Sequence, residues 1–215
     1  SANGSRVSKN YSLTVTWFLF QQTVITKDGH FLIILSAPSG GGKSTILTEI
    51  LKVADNIDYS VSYTTRRPRG AEQNGIHYHF VSEEEFQQRI AEGDFLEYAK
   101  VFGNWYGTSK SFIKKCLSLK HHVIMDIDVQ GASFISATDI PYVKIFILPP
   151  SMEVLKQRLI LRATDSEEEI AKRLQIAKEE VAYIPQYQYL VINDNLEIAV
   201  QDILAIIRAE ENRAC

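Results

Sequence analysis

Lys43, Ser44 and Thr45 follow three glycines at positions 40, 41 and 42, and that spacing is suited to holding a polyphosphate. Glycines let the backbone curl until successive N–H groups converge, and a helix starting at the lysine adds partial positive charge at the same point. Lys43 then serves as a point charge for β and γ oxygens. The Ser44 hydroxyl is the natural ligand for the magnesium that accompanies a nucleoside triphosphate. Against the template GxxxxGK[ST], Ala37 replaces the first glycine. It precedes Pro38, which pushes it to extended geometry. The plain alternative is a glycine-rich turn before an ordinary helix.

Other residues fit the same chemistry by position. Asp126 and Asp128 end an apolar run, HVIMDID, where a strand-end carboxylate organises magnesium and the phosphate-binding lysine; a solvated strand end is the other reading. Arg66 and Arg69 stand on one side of the chain's middle, Arg162 and Arg173 on the other. Two phosphates meeting head to head need guanidinium groups from both sides. Taken singly, each arginine equally suits a solvated surface. His77 and His79 share a polar strand face with no third ligand in view, so they define no metal site.

These residues need elements to hold them. Phe31 to Leu35 is an apolar strand ahead of the glycines, and Ile46, Leu47, Ile50 and Leu51 give the following helix one apolar face. Tyr59 to Tyr63 predicts a short strand, and Ile76, Tyr78 and Phe80 alternate with the histidines as a strand. Ser82 with Glu85 predicts a capping box, and Gly93 the end of its helix. Leu96 to Val101 and Trp105 to Thr108 predict a hairpin. Helix around Phe112 to Leu117, strand at 122–128, helix at 130–137 and strand at 143–148 predict right-handed crossovers and a parallel sheet. Beyond Pro149 and Pro150, Ser151 predicts a cap, Ser166 with Glu169 a capping box, Tyr189 to Ile192 a last strand and Leu196 to Arg208 a closing helix.

Composition sets the bounds. The chain has 215 residues, enough for one α/β domain with a modest insertion, and its charge of -3 with 23% charged residues advertises no nucleic acid partner. Two cysteines, Cys116 and Cys215, make no disulfide framework and fit a reducing cytoplasm. Trp17 to Phe20 is too short to span a membrane. Ser1 to Gly29 reads as a tail, in part a vector remnant, with Tyr11 to Thr26 as strand or short helix.

Five runs in order, SYTTRRPRGAEQNGIHY (62–78), FLEYAKVFGNWYGT (95–108), IMDIDVQG (124–131), FILPPS (146–151) and VIND (191–194), resemble the guanylate kinases. The resemblance spans 31–208 and is far more specific than the glycine loop. It implies an α/β fold of the P-loop nucleoside monophosphate kinase type: a parallel core sheet flanked by helices, a small mixed α+β GMP-binding insertion and a helical lid. It also implies transfer of the γ-phosphoryl of ATP to GMP, with magnesium. The expected divisions are a tail at 1–29, a kinase domain at 30–208 and a C-terminal tail at 209–215. Within the domain, the core is 30–61 and 109–208, the insertion 62–108 and the lid 156–174. The oligomeric state stays open, a homodimer included.

Residue by residue, the resemblance implies that Ser39, Gly40, Gly41, Gly42, Lys43, Ser44 and Thr45 hold ATP, with Ser44 on the metal. Glu97 matches the acid that reads guanine, and Ser62 and Thr108 its hydroxyl partners. Arg66, Arg69, Tyr78 and Tyr106 match the GMP-phosphate clamp, although Tyr78 equally suits a core position; Glu72 matches an acid that orients the clamp. Asp126 matches the aspartate beneath the loop, serving both substrates, and Arg162 and Arg173 match lid arginines that close on ATP. Asn193 matches a contact to adenine or to its loop. Leu161 and Ala163 stand where the family often has glycines, so lid flexibility does not carry over with the arginine.

The chemistry of the bases agrees. Guanine presents N1–H and its 2-amino group as adjacent donors, which one carboxylate accepts together; adenine lacks that pair and would leave Glu97 unmet. No general base is needed, because a phosphate oxygen is already an anionic nucleophile. Two other classes compete: a kinase-like scaffold that binds protein in the same cleft, and a P-loop kinase for another nucleotide. Lys43, the glycines and Asp126 argue against the first, and Glu97 with Ser62 and Thr108 against the second.

Overall fold

A computed structural model describes residues 29–101, 103–135, 138–161 and 166–213. The expectations for 1–28, Arg162 and Ala163 therefore lie outside the described residues.

Five parallel strands form the central sheet: β1 (Leu32–Ser36), β2 (Ile57–Tyr59), β7 (His122–Asp126), β8 (Tyr142–Leu148) and β9 (Tyr189–Ile192), in the spatial order β2-β7-β1-β8-β9. Strand β1 is buried along its whole length, which explains its unbroken apolar run: a central parallel strand is covered on both faces. Its side chains alternate between two cores. Ile33 and Leu35 pack with Ile46 and Ile50 of α1 (Lys43–Val53) and Ile203 of α7 (Leu196–Glu211). Leu32 and Ile34 pack with Ile113 of α3 (Lys110–Ser118) and Ala132 of α4 (Val129–Phe134).

A second, mixed sheet has the order β4-β3-β6-β5, built from β3 (Tyr63–Thr64), β4 (His79–Phe80), β5 (Phe95–Val101) and β6 (Asn104–Ser109). Helix α2 (Glu83–Ala91) covers it through Phe86, whose ring stacks 4.4 Å from Phe95. Gly107 is required there, since a Cβ would stand 2.9 Å from the Phe95 ring and 3.0 Å from that of Phe86. The predicted hairpin forms, with Glu97 opposite Thr108.

Three local expectations change. Tyr59 to Tyr63 is two strands in different sheets, because the chain crosses from β2 to β3 between them. The strand expected from Ile76 is a turn at 75–77, entered at Gly75 with a φ of 79°, and Ile76 is exposed. Ser82 caps α2 through the Glu85 N–H, but the Glu85 carboxylate turns to Arg89 instead of closing a box. Ser166 and Glu169 do make the full box at the start of α6 (Glu167–Val181). That helix packs on α5 (Met152–Leu161) through Leu155, Leu159, Ile170 and Ala177.

Candidate active site

The glycine loop lies between β1 and α1, where β1 has β7 on one side and β8 on the other. Such a reversal of strand order leaves a crevice at the carboxyl ends of the strands. Gly42 is the N-cap of α1 with φ 93°, and no side chain caps the helix, which suits its first N–H groups to an anion. A Cβ on Gly42 would also stand 2.1 Å from Asn193 Nδ2. That amide donates to the Gly41 carbonyl at 2.9 Å, and the Asn193 N–H donates to Leu148 O at 2.7 Å. Asn193 thus fastens the loop to the ends of β8 and β9.

Lys43 Nζ donates to the Ile127 carbonyl at 3.3 Å and stands 3.6 Å from Asp126 Oδ2. Asp126 Oδ1 accepts the Tyr59 hydroxyl at 2.6 Å. Asp128 acts on the helix that follows, capping α4 by accepting the Gly131 N–H at 2.7 Å. From α6, Arg173 donates to the Ser39 hydroxyl at 3.2 Å, so a residue 134 positions away touches the loop.

Sequence reading overlooked Arg158. Its Nη2 donates to the Asn193 carbonyl at 2.8 Å, while Nη1 is buried with no partner among the described residues. Arg158 lines a cleft of about 330 Å³ with Gly40, Gly42, Thr45, Asn193 and Asp194. A buried guanidinium N–H facing a helix N-terminus suits an anion. In the sequence it is one of several polar residues of that helix, beside Glu153, Lys156 and Gln157, and nothing local sets it apart.

Across the crevice, Arg66 is 8% exposed and fixed by a fork: Nη1 and Nη2 donate to the two Glu72 oxygens at 2.8 and 3.0 Å, and Nη1 also to Arg67 O at 2.8 Å. The Glu72 carboxylate accepts the Arg69 N–H at 2.7 Å as well. The Arg66 fork, helped by that N–H, holds Glu72 down at about 2, and Glu72 in turn raises the Arg66 pKa. The pair stays ionised at any ordinary pH. Tyr106 adds to the rise in the Arg66 pKa, and Tyr78 has the guanidinium 5.3 Å from its ring centre. The Arg69 side chain is exposed. Burial raises the Tyr78 hydroxyl pKa, and the charges of Asp126, Arg66 and Glu72 all reach it. Tyr78 is half-buried, with its ring centre 6.0 Å from that of Tyr106.

Glu97 is half-buried in β5 and accepts the Thr108 hydroxyl at 2.6 Å. Burial lifts its pKa to about 7, against the lowering effect of that hydrogen bond, with Asp128 adding to the rise. Ser62 stands just before β3, its carbonyl accepting the His79 N–H of β4 at 2.9 Å. The structure so gathers Ser39 to Thr45, Asp126, Arg173 and Asn193 at the loop, and Arg66, Glu72, Tyr78 and Tyr106 opposite, with the Glu97–Thr108 pair on the second sheet.

A phosphate loop in a parallel sheet, faced by an arginine clamp on a separate small sheet, defines the nucleoside monophosphate kinase class of phosphotransferase. The comparisons agree and narrow it. A family model described as guanylate kinase matches residues 30–210. A guanylate kinase of Clostridium perfringens (strain SM101 / Type A) is 50% identical over 182 residues, covering 85% of this chain and 84% of its own. That of Methylobacillus flagellatus is 46% identical over 182 residues, covering 85% and 90%. The crystal structure of guanylate kinase from Anaplasma phagocytophilum superposes with a TM-score of 0.68 at 33% identity, covering 86% and 88%. The chain belongs to the guanylate kinase family.

Proposed function

We propose that the protein transfers the γ-phosphoryl of ATP to GMP in the cytoplasm, with the roles of its residues divided across the crevice. The insertion at 62–108 takes GMP, the core at 30–61 and 109–208 takes ATP, and 156–174 acts as the lid. The observation that carries this reading is the buried Arg66 guanidinium, forked to Glu72 and set against the Tyr78 ring beside the small sheet, while Lys43 and Asp126 stand together at the glycine loop of the core sheet.

In this reading the loop N–H groups and Lys43 receive the β and γ phosphates, and Arg158, Arg162 and Arg173 neutralise them from the lid side. Arg66, Arg69, Tyr78 and Tyr106 hold the GMP phosphate, with Glu72 fixing the Arg66 fork. A GMP phosphate oxygen attacks the γ phosphorus in line, the bond to the β,γ-bridging oxygen breaks, and ADP leaves with that electron pair. Nothing must be deprotonated when the attacking phosphate is a dianion, so positioning and charge neutralisation supply the catalysis.

The donor set fits magnesium. Ser44 is exposed at the start of α1 and Asp126 presents a carboxylate oxygen beside Lys43, both hard oxygen ligands. Among the described residues no three acidic, histidine or cysteine side chains converge to cage a metal, so its other ligands would be phosphate and water. When bound, the ion would neutralise negative charge on the triphosphate. No helix among the described residues is long and apolar enough to cross a membrane.

The decisive measurement is coupled ADP release with ATP, magnesium and, in turn, GMP, dGMP, AMP, CMP and UMP. GMP is expected to give the highest kcat/KM. Absence of turnover with GMP would favour the scaffold reading, and faster AMP turnover would overturn the assignment of Glu97.

Glu97 gives a second test through pH. Only its ionised form accepts both guanine donors, and with a pKa of about 7 in the free enzyme the ionised fraction falls roughly tenfold from pH 8 to pH 6. Wild-type kcat/KM for GMP should fall by that factor beyond the fall seen in Glu97→Gln, which shares GMP's own titration. Equal pH profiles would remove Glu97 from the base site. The same raised pKa works against folding. The penalty is absent well below the ordinary value of 4.5, builds as pH rises through 7 and persists above it. Glu97→Gln should therefore raise Tm more at pH 8 than at pH 5.

A further inference from the structure

The family resemblance singles out Asp126 but leaves Tyr59 unassigned. Tyr59 ends β2, paired with Ile124 of β7, and Asp126 lies two residues beyond Ile124 on the same side of that strand. This register lets the phenol run along β7 to the carboxylate, where its hydroxyl donates to Asp126 Oδ1 at 2.6 Å. Its ring packs on the core beneath β1 and α1, so the ring and the hydroxyl have separable roles.

An ionised carboxylate only accepts, so the Tyr59 hydroxyl is the donor of this bond. With Oδ1 taken, the other oxygen of Asp126 stands 3.6 Å from Lys43 Nζ, close enough for attraction but outside hydrogen-bond contact. Lys43 instead donates to the neutral Ile127 carbonyl at 3.3 Å. An ammonium held this way can turn to a phosphate without first breaking a close ion pair. A carboxylate free to rotate would close on Lys43 and compete with the triphosphate.

We infer that Tyr59 is a positioning residue for phosphoryl transfer, holding Asp126 so that Lys43 stays available to the transferred phosphoryl. The inference rests on the phosphotransfer reading, which wild-type GMP turnover tests separately and first.

The experiment is a double-mutant cycle of Tyr59→Phe and Asp126→Ala, measured in single turnovers with enzyme in excess so that slow variants remain readable. Tyr59→Phe keeps the ring and should lower the phosphoryl-transfer rate about tenfold, the scale of one hydrogen bond to a charged group, with KM for GMP within about twofold of wild type. In the Asp126→Ala background the same change should alter the rate by less than about twofold, because the hydroxyl has lost the group through which it acts. Equal losses in both backgrounds would mean that Tyr59 supports the fold alone, and a raised GMP KM at unchanged rate would make it a direct substrate contact. Either result, or a wild-type rate for Tyr59→Phe, overturns the inference.

Discussion

Lys43→Ala is expected to lower kcat by about two to three orders of magnitude, the usual cost of removing one preorganised group that stabilises transition-state charge. The fold should tolerate the change. Lys43 is the first residue of α1, alanine is a good helix former, and the side chain's contacts are one carbonyl at 3.3 Å and one carboxylate at 3.6 Å. Pre-steady-state ADP formation would check the rate, and thermal unfolding would check the fold. A large loss in kcat with a modest rise in ATP KM marks an interaction that strengthens in the transition state, whereas a loss confined to KM marks uniform binding. Wild-type turnover would remove Lys43 from the chemistry.

Arg66→Ala should lower kcat/KM for GMP by about a thousandfold, because it has two consequences where Lys43→Ala has one. The GMP phosphate loses a guanidinium donor, and Glu72 keeps its negative charge beside the vacated position. Glu72 owes its depressed pKa chiefly to Arg66, so without it the carboxylate repels the incoming phosphate. The two effects separate in Arg66→Ala/Glu72→Gln, which should recover about tenfold over the single variant. Arg66→Lys should rescue little, since one ammonium cannot reproduce the fork to both Glu72 oxygens. Initial-rate kinetics with GMP varied at saturating ATP would measure all three. Full rescue by lysine would mean that charge alone, and not the fork, is what the clamp supplies.

How much of this could be read from the chain differs by element. The apolar runs of β1, β7 and β8 were legible because central parallel strands are buried on both faces and allow little but branched apolar residues. The Ser166 cap and the 95–109 hairpin were legible because their signals are local. Tyr59 to Tyr63 misled because two strands in different sheets lie only three residues apart, and nothing local marks the change of sheet. Ile76 misled because alternation over five residues also fits a glycine-led turn. At the site, Lys43 and the glycines follow a motif with a mechanism, and Arg66, Glu72 and Glu97 were found through resemblance over a long stretch. Arg158 and Tyr59 escaped because their importance lies in partners far away in the sequence, Asn193 and Asp126, which no spacing rule connects.

Asn193 gives the loop a place in time as well as in space. The glycines at 40–42 are made well before the amide that holds Gly41, which belongs to residue 193, just past β9, and the Arg158 guanidinium also needs the carbonyl of that residue. A nascent chain still lacking its last strand carries the whole phosphate motif in an unfastened form. The held form of the loop therefore belongs to the completed sheet and not to the glycine motif alone.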